Sequence, residues 1–494
     1  MSTNQTGTGP RSVRTSGTAG NTGAAGMNRR DAIRGAAAVA GAALVLPATG
    51  FAPSAFGQDV AKTPATAPAK RLRLGFIGVG KQSSGHVGFF TGRTDCEIVA
   101  ICDVDKGRRE LFVKQVDDKY RDLKRADVKP VTGYVDHHEL LARPDVDAVV
   151  IGTPDHWHTA ILIDAAKAKK DIYCEKPLTL TIAEAKACVE AVQKHGVVMQ
   201  TGSQQRSDGP FREVVDYVRN GKLGKIKEVY VALGGSHPVP CDLPGETPTS
   251  EIDWDRWLGQ APKREYAKRL GHAGENPSGY PFNPGWREFR EYSGGYVTDW
   301  GAHHFDITQW ALSMDGSGPV EVHPPEDAKA DYGAKFVYRG SPAGDEIVVT
   351  HVQKIPFEVP DKKNPGKMQQ PGNGILFVGD KGKVFVSREM KVSEPGEILA
   401  APLSAGDARV QNFGQGKPNM HRPEWLECIR TRGTPVANVV VGAGSVTVCH
   451  LVNLAYQHRQ KMQWDPKSWT FADAKQNEWL TRLRRDGFAL PAIG

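Results

Sequence analysis

At 494 residues, with 39% apolar and 24% charged side chains, the chain is long enough for two cored domains, and its composition is neither disordered nor membrane-embedded. Its formal net charge is +7, but residues 1–57 hold +4 of it and the rest only +3. With no dense Lys/Arg run interleaved with aromatics, no nucleic-acid partner is expected.

Residues 1–27 are rich in Ser, Thr and Gly. Arg29 and Arg30 then precede an Ala/Gly-rich apolar stretch, Gly35 to Leu46, which is too short to span a bilayer stably. An arginine pair ahead of a weakly hydrophobic core is the twin-arginine export pattern. Ala55-Phe56-Gly57 is a small-x-small cleavage candidate that would leave Gln58 as the new terminus. The expectation is export to the periplasm or another extracytoplasmic space, with no stable membrane span after processing. Residues 1–57 are read as this signal segment and 58–70 as an Ala/Thr/Pro/Lys linker.

From Arg71 short β-branched runs alternate with helical patterns. Strands are expected at 72–77, 97–102, 146–151, 171–174 and 197–201, with helices at 105–118, 155–169 and 181–195. This alternation argues a doubly wound parallel sheet of the Rossmann kind over residues 71–201. The first strand runs into Gly78-Val79-Gly80 and a helix. The first glycine permits the tight turn, the second lets backbone approach a pyrophosphate, and the helix amino terminus favours phosphate. Ser83 stands where a third glycine is usual, and is small enough for close helix–strand contact. Asp103 ends the second strand, where a carboxylate bonds ribose hydroxyls and favours NAD over NADP. Arg108 and Arg109 nearby keep NADP open.

The strand ending at Ile151 leads into Gly152-Thr153-Pro154-Asp155-His156-Trp157-His158. Pro154 suits a first helical turn with Thr153 as its cap, and His156 and His158 could touch ribose or substrate. The next strand runs out into Glu175-Lys176-Pro177, a lysine at the carboxyl end where such sheets bind ligands.

Beyond Gly202 the pattern changes. A helix at 211–220, a strand at 226–233, irregular Trp/Pro/Gly-rich surface loops at 236–294 and a helix at about 296–314 are expected. Runs at 335–338, 346–353, 374–378 and 383–387 alternate as in an antiparallel sheet with one wet face, with a hairpin at Asp380-Lys381-Gly382. Helices close the chain at 421–432 and 443–459, so residues 202–494 read as one α+β domain. In the helix at 296–314, Asp299 and His303 stand at i and i+4 and share a face. His304 points about 100° from His303, and no second cluster has ligand spacing, so no metal is expected. Seven cysteines, odd in number and without a C-x-x-C pair, imply neither a disulfide framework nor a zinc ribbon.

Taken in order, Gly78-Val79-Gly80, Asp103, Thr153-Pro154, Glu175-Lys176-Pro177 and Gly295…Asp299-x-Gly301-x-His303-x-x-Asp306 make the chain resemble the Gfo/Idh/MocA oxidoreductase family over about residues 71–459. The resemblance implies a Rossmann domain followed by a domain with a large open sheet that often forms an oligomer interface. A homo-oligomer, dimer or tetramer, is therefore expected. It implies NAD(P) in the cleft, Lys176, Asp299 and His303 as catalytic residues, and a cis Lys176-Pro177 bond. The cofactor contacts expected are Gly78, Gly80, Ser83, Asp103, Thr153, Pro154, His158 and Glu175.

The expected reaction moves a hydride between nicotinamide and a secondary alcohol of a sugar or polyol. His303 is read as general acid/base, Lys176 as polariser and proton relay, and Asp299 as orienter of substrate or of His303. Arg206, Trp286, Arg287 and Tyr292 are candidate substrate contacts, the Trp-rich loops suiting sugar faces. Two rival readings differ in reaction class. In one, tightly bound NAD cycles within a glycosidase or epimerase; in the other, the fold binds sugar without catalysis.

Overall fold

Strands buried on both faces need an apolar residue at every position, and the first half of the chain supplies them. Its elements are β1 (Leu72–Ile77), α1 (Lys81–Thr91), β2 (Cys96–Cys102), α2 (Lys106–Asp122), β3 (Thr132–Tyr134), α3 (His137–Leu141), β4 (Ala148–Ile151), α4 (Asp155–Lys167), β5 (Asp171–Cys174), α5 (Ile182–His195) and β6 (Met199–Thr201). The computed structural model describes residues 71–248, 251–271, 285–410 and 420–494. The expected export segment and linker lie outside the described residues.

The six strands are all parallel, in the order β3-β2-β1-β4-β5-β6. Along β4 the side chains alternate between two cores. Val149 and Ile151 join the one that α4 and α5 cover, while Ala148 and Val150 join the other. The order reverses between β1 and β4, and that reversal opens the ligand crevice at the strands' carboxyl ends. The pair β3 and α3 has no counterpart in the expected elements, because β3 is three residues long and largely exposed.

The second half contains α6 (Gly209–Arg219), β7 (Ile226–Leu233), α7 (Trp254–Leu258), α8 (Lys268–Gly271), α9 (Gly295–Asp299), α10 (Gly301–Ala311), β8 (Glu321–His323), β9 (Lys335–Ser341), β10 (Gly344–Val352), β11 (Val359–Pro360) and β12 (Met368–Gln369). It continues with β13 (Asn373–Gly379), β14 (Gly382–Val386), β15 (Lys391–Glu394), α11 (Glu397–Ala400), α12 (His421–Thr431), α13 (Val439–His458), β16 (Met462–Asp465) and β17 (Thr470–Phe471). Nine strands make one sheet in the order β15-β14-β13-β7-β10-β9-β8-β16-β17, antiparallel throughout except where β10 runs parallel to β7. The hairpin falls where expected, Gly379 pairing with Gly382 around Asp380-Lys381.

One face of this sheet is packed by α6, α10 and α13, through Phe211, Val215, Phe305, Trp310 and Leu451 among others. Helix α13 is apolar enough to cross a membrane by composition, but it is buried here. Its Val439, Ala443 and Val446 belong to the core around α4 and α5, whereas Val448, Leu451 and Val452 belong to the nine-stranded sheet. One helix thereby joins the two cores.

The described part of 236–294 corrects the expectation of surface loops. Trp257, Leu258, Ala267, Leu270, Phe289 and Tyr292 form a small core of their own. Trp254 stacks on Trp257 at 4.6 Å. These tryptophans are engaged in packing.

Candidate active site

The turn after β1 requires glycine at its first position. Gly78 has φ +81°, and a Cβ there would stand 2.6 Å from the Thr153 amide nitrogen. Gly80 caps α1 without a side-chain hydrogen bond, and a Cβ on it would meet nothing within 4 Å. The α1 amino terminus therefore faces open space with its amide donors uncovered by side chain. Ser83 is fully buried and its hydroxyl donates to the Gly78 carbonyl at 2.6 Å. This corrects its assignment as a cofactor contact: it packs α1 against the Gly152 turn behind the cleft.

A cleft of about 1320 Å³ lies along this turn, lined among others by Gly78, Gly80, Asp103, Thr153, Glu175 and Lys176. Asp103 accepts from the Val79 amide at 2.8 Å and from the Asp105 amide at 2.9 Å. Burial raises its carboxyl above the usual range, with Arg108 opposing. Pro154, not Thr153, occupies the N-cap position of α4 and no side chain caps it, so Thr153 loses its expected capping role. The buried Thr153 hydroxyl has no partner. An uncapped helix amino terminus, an open glycine cradle, an unpartnered hydroxyl and an acid at the end of β2 fit a dinucleotide.

His158 lines the cleft where a cofactor contact is expected, with both ring nitrogens engaged. Its Nδ1 stands 2.8 Å from the Pro177 carbonyl and its Nε2 2.9 Å from the Thr153 carbonyl. The ring lines the cleft, but its nitrogens tie the α4 turn to Pro177. His156 is likewise buried, its Nε2 on the Trp257 carbonyl at 2.9 Å. Glu175 is buried and accepts from His86 Nε2 at 2.7 Å and Gln204 Nε2 at 3.0 Å. Burial works to raise its carboxyl, but His86 by hydrogen bond and charge, with Lys176, brings it below the ordinary value. Glu175 is thus held as an anion in the cleft wall.

Lys176 follows, joined to Pro177 by a cis peptide as the resemblance implied. Its Nζ donates to Asp299 Oδ1 at 2.6 Å and to the Asp299 carbonyl at 3.1 Å. Asp299 ends α9, and the chain passes through Trp300 before α10 starts at Gly301. The single helix expected over 296–314 is therefore two, and Asp299 is paired with Lys176. His303, in the first turn of α10, is 4% exposed, with its Nδ1 buried and unpartnered. Burial, then the positive charges of Lys176 and Arg388, hold its imidazole well below the usual histidine range. It is neutral near pH 7. For Asp299, burial raises the carboxyl, but the charges of Lys176, Arg287 and Arg388 lower it further, leaving an anion.

Of the four expected substrate contacts, the structure leaves two at the cleft. Trp286 and Arg287 line it, the guanidinium 4.3 Å over the indole and its Nε 3.7 Å from Asp299 Oδ1. Arg206 is 1% exposed, its Nε within 2.8 Å of Asp306 and its Nη2 2.6 Å from Asp315. Tyr292 is also 1% exposed and packs against Trp257 and His156. Both are core residues, beyond reach of a substrate.

Two residues of the site escaped the sequence reading. Arg388 lies just past β14, its guanidinium 4.5 Å over Trp300. Asp155 lines the cleft and accepts from the Ser293 hydroxyl at 2.6 Å. Burial pushes its carboxyl up to about 7, Ser293 and Arg287 opposing. An Asp inside the Thr-Pro-Asp-His turn was in plain view, but its distance from water was not.

With that geometry in place, comparison with known proteins gives a consistent result. Residues 72–203 match the model for the Gfo/Idh/MocA oxidoreductase family, NAD-binding Rossmann fold, and residues 240–339 the model for that family's C-terminal alpha/beta domain. The chain is 31% identical over 414 residues to a scyllo-inositol 2-dehydrogenase (NAD(+)) of Bacillus subtilis, covering 80% of this chain and 97% of that protein. It is 33% identical over 172 residues to a myo-inositol 2-dehydrogenase of Thermotoga maritima, 35% of this chain and 48% of that one. Over the first curated relatives the match spans about half their length. The fold is similar to that of the WlbA dehydrogenase of Bordetella pertussis, solved with NADH and UDP-GlcNAcA, at TM-score 0.52 and 16% identity, covering 81% of this chain and 99% of that one.

Proposed function

The chain belongs to the Gfo/Idh/MocA oxidoreductase family, and from that premise we propose that it moves a hydride between NAD and a secondary alcohol of a sugar or polyol. The observation that carries the reading is the Lys176 ammonium on the cleft wall, 2.6 Å from Asp299 Oδ1, beside a neutral His303. Bound nicotinamide supplies the hydride acceptor or donor. The alcohol oxygen is polarised by Lys176, whose geometry Asp299 fixes. A neutral imidazole accepts the hydroxyl proton, and a charged one would not. Arg287 and Trp286 orient the substrate at the cleft wall. Inositol dehydrogenases among the relatives support a polyol or sugar as substrate.

The same reading places the protein outside the cytoplasm, supported by the twin-arginine pattern at Arg29-Arg30, and assembles it as a homo-oligomer through the open face of the nine-stranded sheet. Cell fractionation and light scattering test these two parts separately.

The central test is to release and identify nucleotide from pure protein, then to screen sugars and polyols for reduction of nucleotide. Reduction by a polyol is the expected result. Cleavage or epimerisation of a glycoside with no net nucleotide turnover would replace it with the redox-neutral cycle. A protein that neither holds nucleotide nor gains thermal stability with NAD or NADP would overturn both.

A further inference from the structure

We propose that His137, His138 and Asp164 bind one divalent transition-metal ion on the wall of the cleft, with Asp136 as their positioning residue. The site shares no residue with the hydride-transfer machinery, and adjacent histidines paired with an aspartate 27 positions on give no ligand spacing in sequence. It is assembled by the fold. His137 and His138 open α3, and Asp136 caps that helix by accepting from the His138 amide at 2.9 Å. Asp164 comes from the third turn of α4.

Two of the separations are those of ligands around an ion. His137 Nε2 and His138 Nε2 each stand 3.3 Å from Asp164 Oδ2. The two rings lie 4.0 Å apart at an interplanar angle of 34°, closer than the about 5 Å that two imidazoles keep on one tetrahedral ion, so the exposed His138 ring turns outward to take the ion. Ligand atoms bonded at about 2.0–2.1 Å to a tetrahedral ion are separated by about 3.3 Å. The 3.3 Å gaps match that edge, and are longer than the 2.7–2.9 Å charge-assisted hydrogen bond a histidine–carboxylate pair makes when it closes.

Asp136 then has the place of an outer carboxylate. Its Oδ1 is 2.7 Å from His138 Nδ1, while its Oδ2 is 2.7 Å from Arg256 Nη1. A proton on Nδ1 shared with Asp136 leaves the Nε2 lone pair directed at the ion, the usual carboxylate–histidine–metal arrangement. Asp136, His137, His138 and Asp164 all line the cleft, and the His138 side chain is 63% exposed. A fourth position, filled by water, therefore opens to solvent. Two imidazoles and one carboxylate with an open position suit Zn(II), and Co(II) substitutes for it as a spectroscopic probe.

The test uses the full chain without a polyhistidine tag, stripped with chelator and dialysed. Zn(II) is titrated by calorimetry, and Co(II) is added to record visible absorption. One ion per chain and the strong visible bands of four-coordinate Co(II) are expected. His137→Ala and Asp164→Asn should each abolish the bands, while Asp136→Asn keeps them and weakens affinity about ten- to a hundredfold. Circular dichroism establishes that each variant is folded, and His138→Gln provides a second ligand deletion should one fail. Absence of the bands, or bands that survive both His137→Ala and Asp164→Asn in folded protein, would overturn the site.

Discussion

Lys176 Nζ and Asp299 Oδ1 are 2.6 Å apart, although 123 residues separate them, and Arg287 Nε approaches the same oxygen at 3.7 Å. The carboxylate serves two cations from different parts of the chain, so it fixes where the ammonium can point. If Lys176 polarises the alcohol and His303 takes its proton, Lys176→Ala and His303→Ala should each lower kcat by at least about a hundredfold. Nucleotide binding should persist in both, because neither residue belongs to the glycine turn. Asp299→Asn should fall between them and wild type, since the carbonyl of Asp299 still accepts from Lys176 at 3.1 Å. Near-normal turnover in both alanine variants would remove the assignment.

Buried neutral histidines set the pH range of stability. Burial lowers His156, His304 and His421 to about 4, and His351 and His450 to about 3. An unfolded histidine titrates near 6.5, so the unfolded chain takes up protons that the folded one refuses. Their stabilising contribution is complete above about pH 6.5 and is lost as pH falls towards 4, by about 1.4 kcal/mol per group per pH unit. Asp155 and Glu424, both raised to about 7 by burial, act in the opposite sense and gain stability over that interval. With His158, His303 and His458 also lowered, and Asp103, Asp208, Asp216 and Asp306 also raised, eight histidines among the described residues face six carboxyls, and the histidines prevail. Urea midpoints should fall on acidification from pH 7, and a midpoint constant or rising down to about pH 5 would refute this account.

The parts legible in the sequence are those whose cause is local. The glycine turn, the βα alternation and the Glu175-Lys176-Pro177 strand end each follow from periodicity and backbone allowance within a few residues. Helix α13 was read from its apolar pattern alone. What escaped depends on distant chain. Arg206 looks like a free cation in Gln204-Gln205-Arg206, until Asp306 and Asp315 arrive to bury it. The Asp299–His303 pair reads as one helical face because a single glycine, here Gly301 just after Trp300, is tolerated inside a helical pattern and does not by itself announce a break. Arg388 follows a strand with no motif around it, and only the fold carries it over Trp300.

Ser83 and Gly152 should behave as one unit. A methyl group on Gly152 would overlap the Ser83 hydroxyl and stand 3.3 Å from the Gly78 carbonyl. Gly152→Ala alone should destabilise the fold by about 1–3 kcal/mol. Ser83→Gly removes the obstructing oxygen and forfeits its hydrogen bond to Gly78, costing about 1 kcal/mol. The double variant should be more stable than the sum of the two losses, with a coupling of about 0.5–3 kcal/mol measured by urea unfolding. Strict additivity would mean that the helix and the turn do not meet as described.

Arg206 separates a structural reading from the substrate-contact reading that its sequence suggests. Its guanidinium reaches Asp306 and Asp315 at once, and the Ser445 hydroxyl donates to Asp306 Oδ1 at 2.6 Å. Asp306 is wholly buried. Removing the arginine leaves that carboxylate without its counter-charge, so Arg206→Ala should cost about 3–5 kcal/mol of stability. Lysine cannot reproduce the forked donors, and Arg206→Lys should recover only part of the loss. Protein that remains folded should keep a near-normal KM, because the side chain lies 1% exposed in the core. A variant with unchanged urea midpoint and a strongly raised KM would return Arg206 to the substrate.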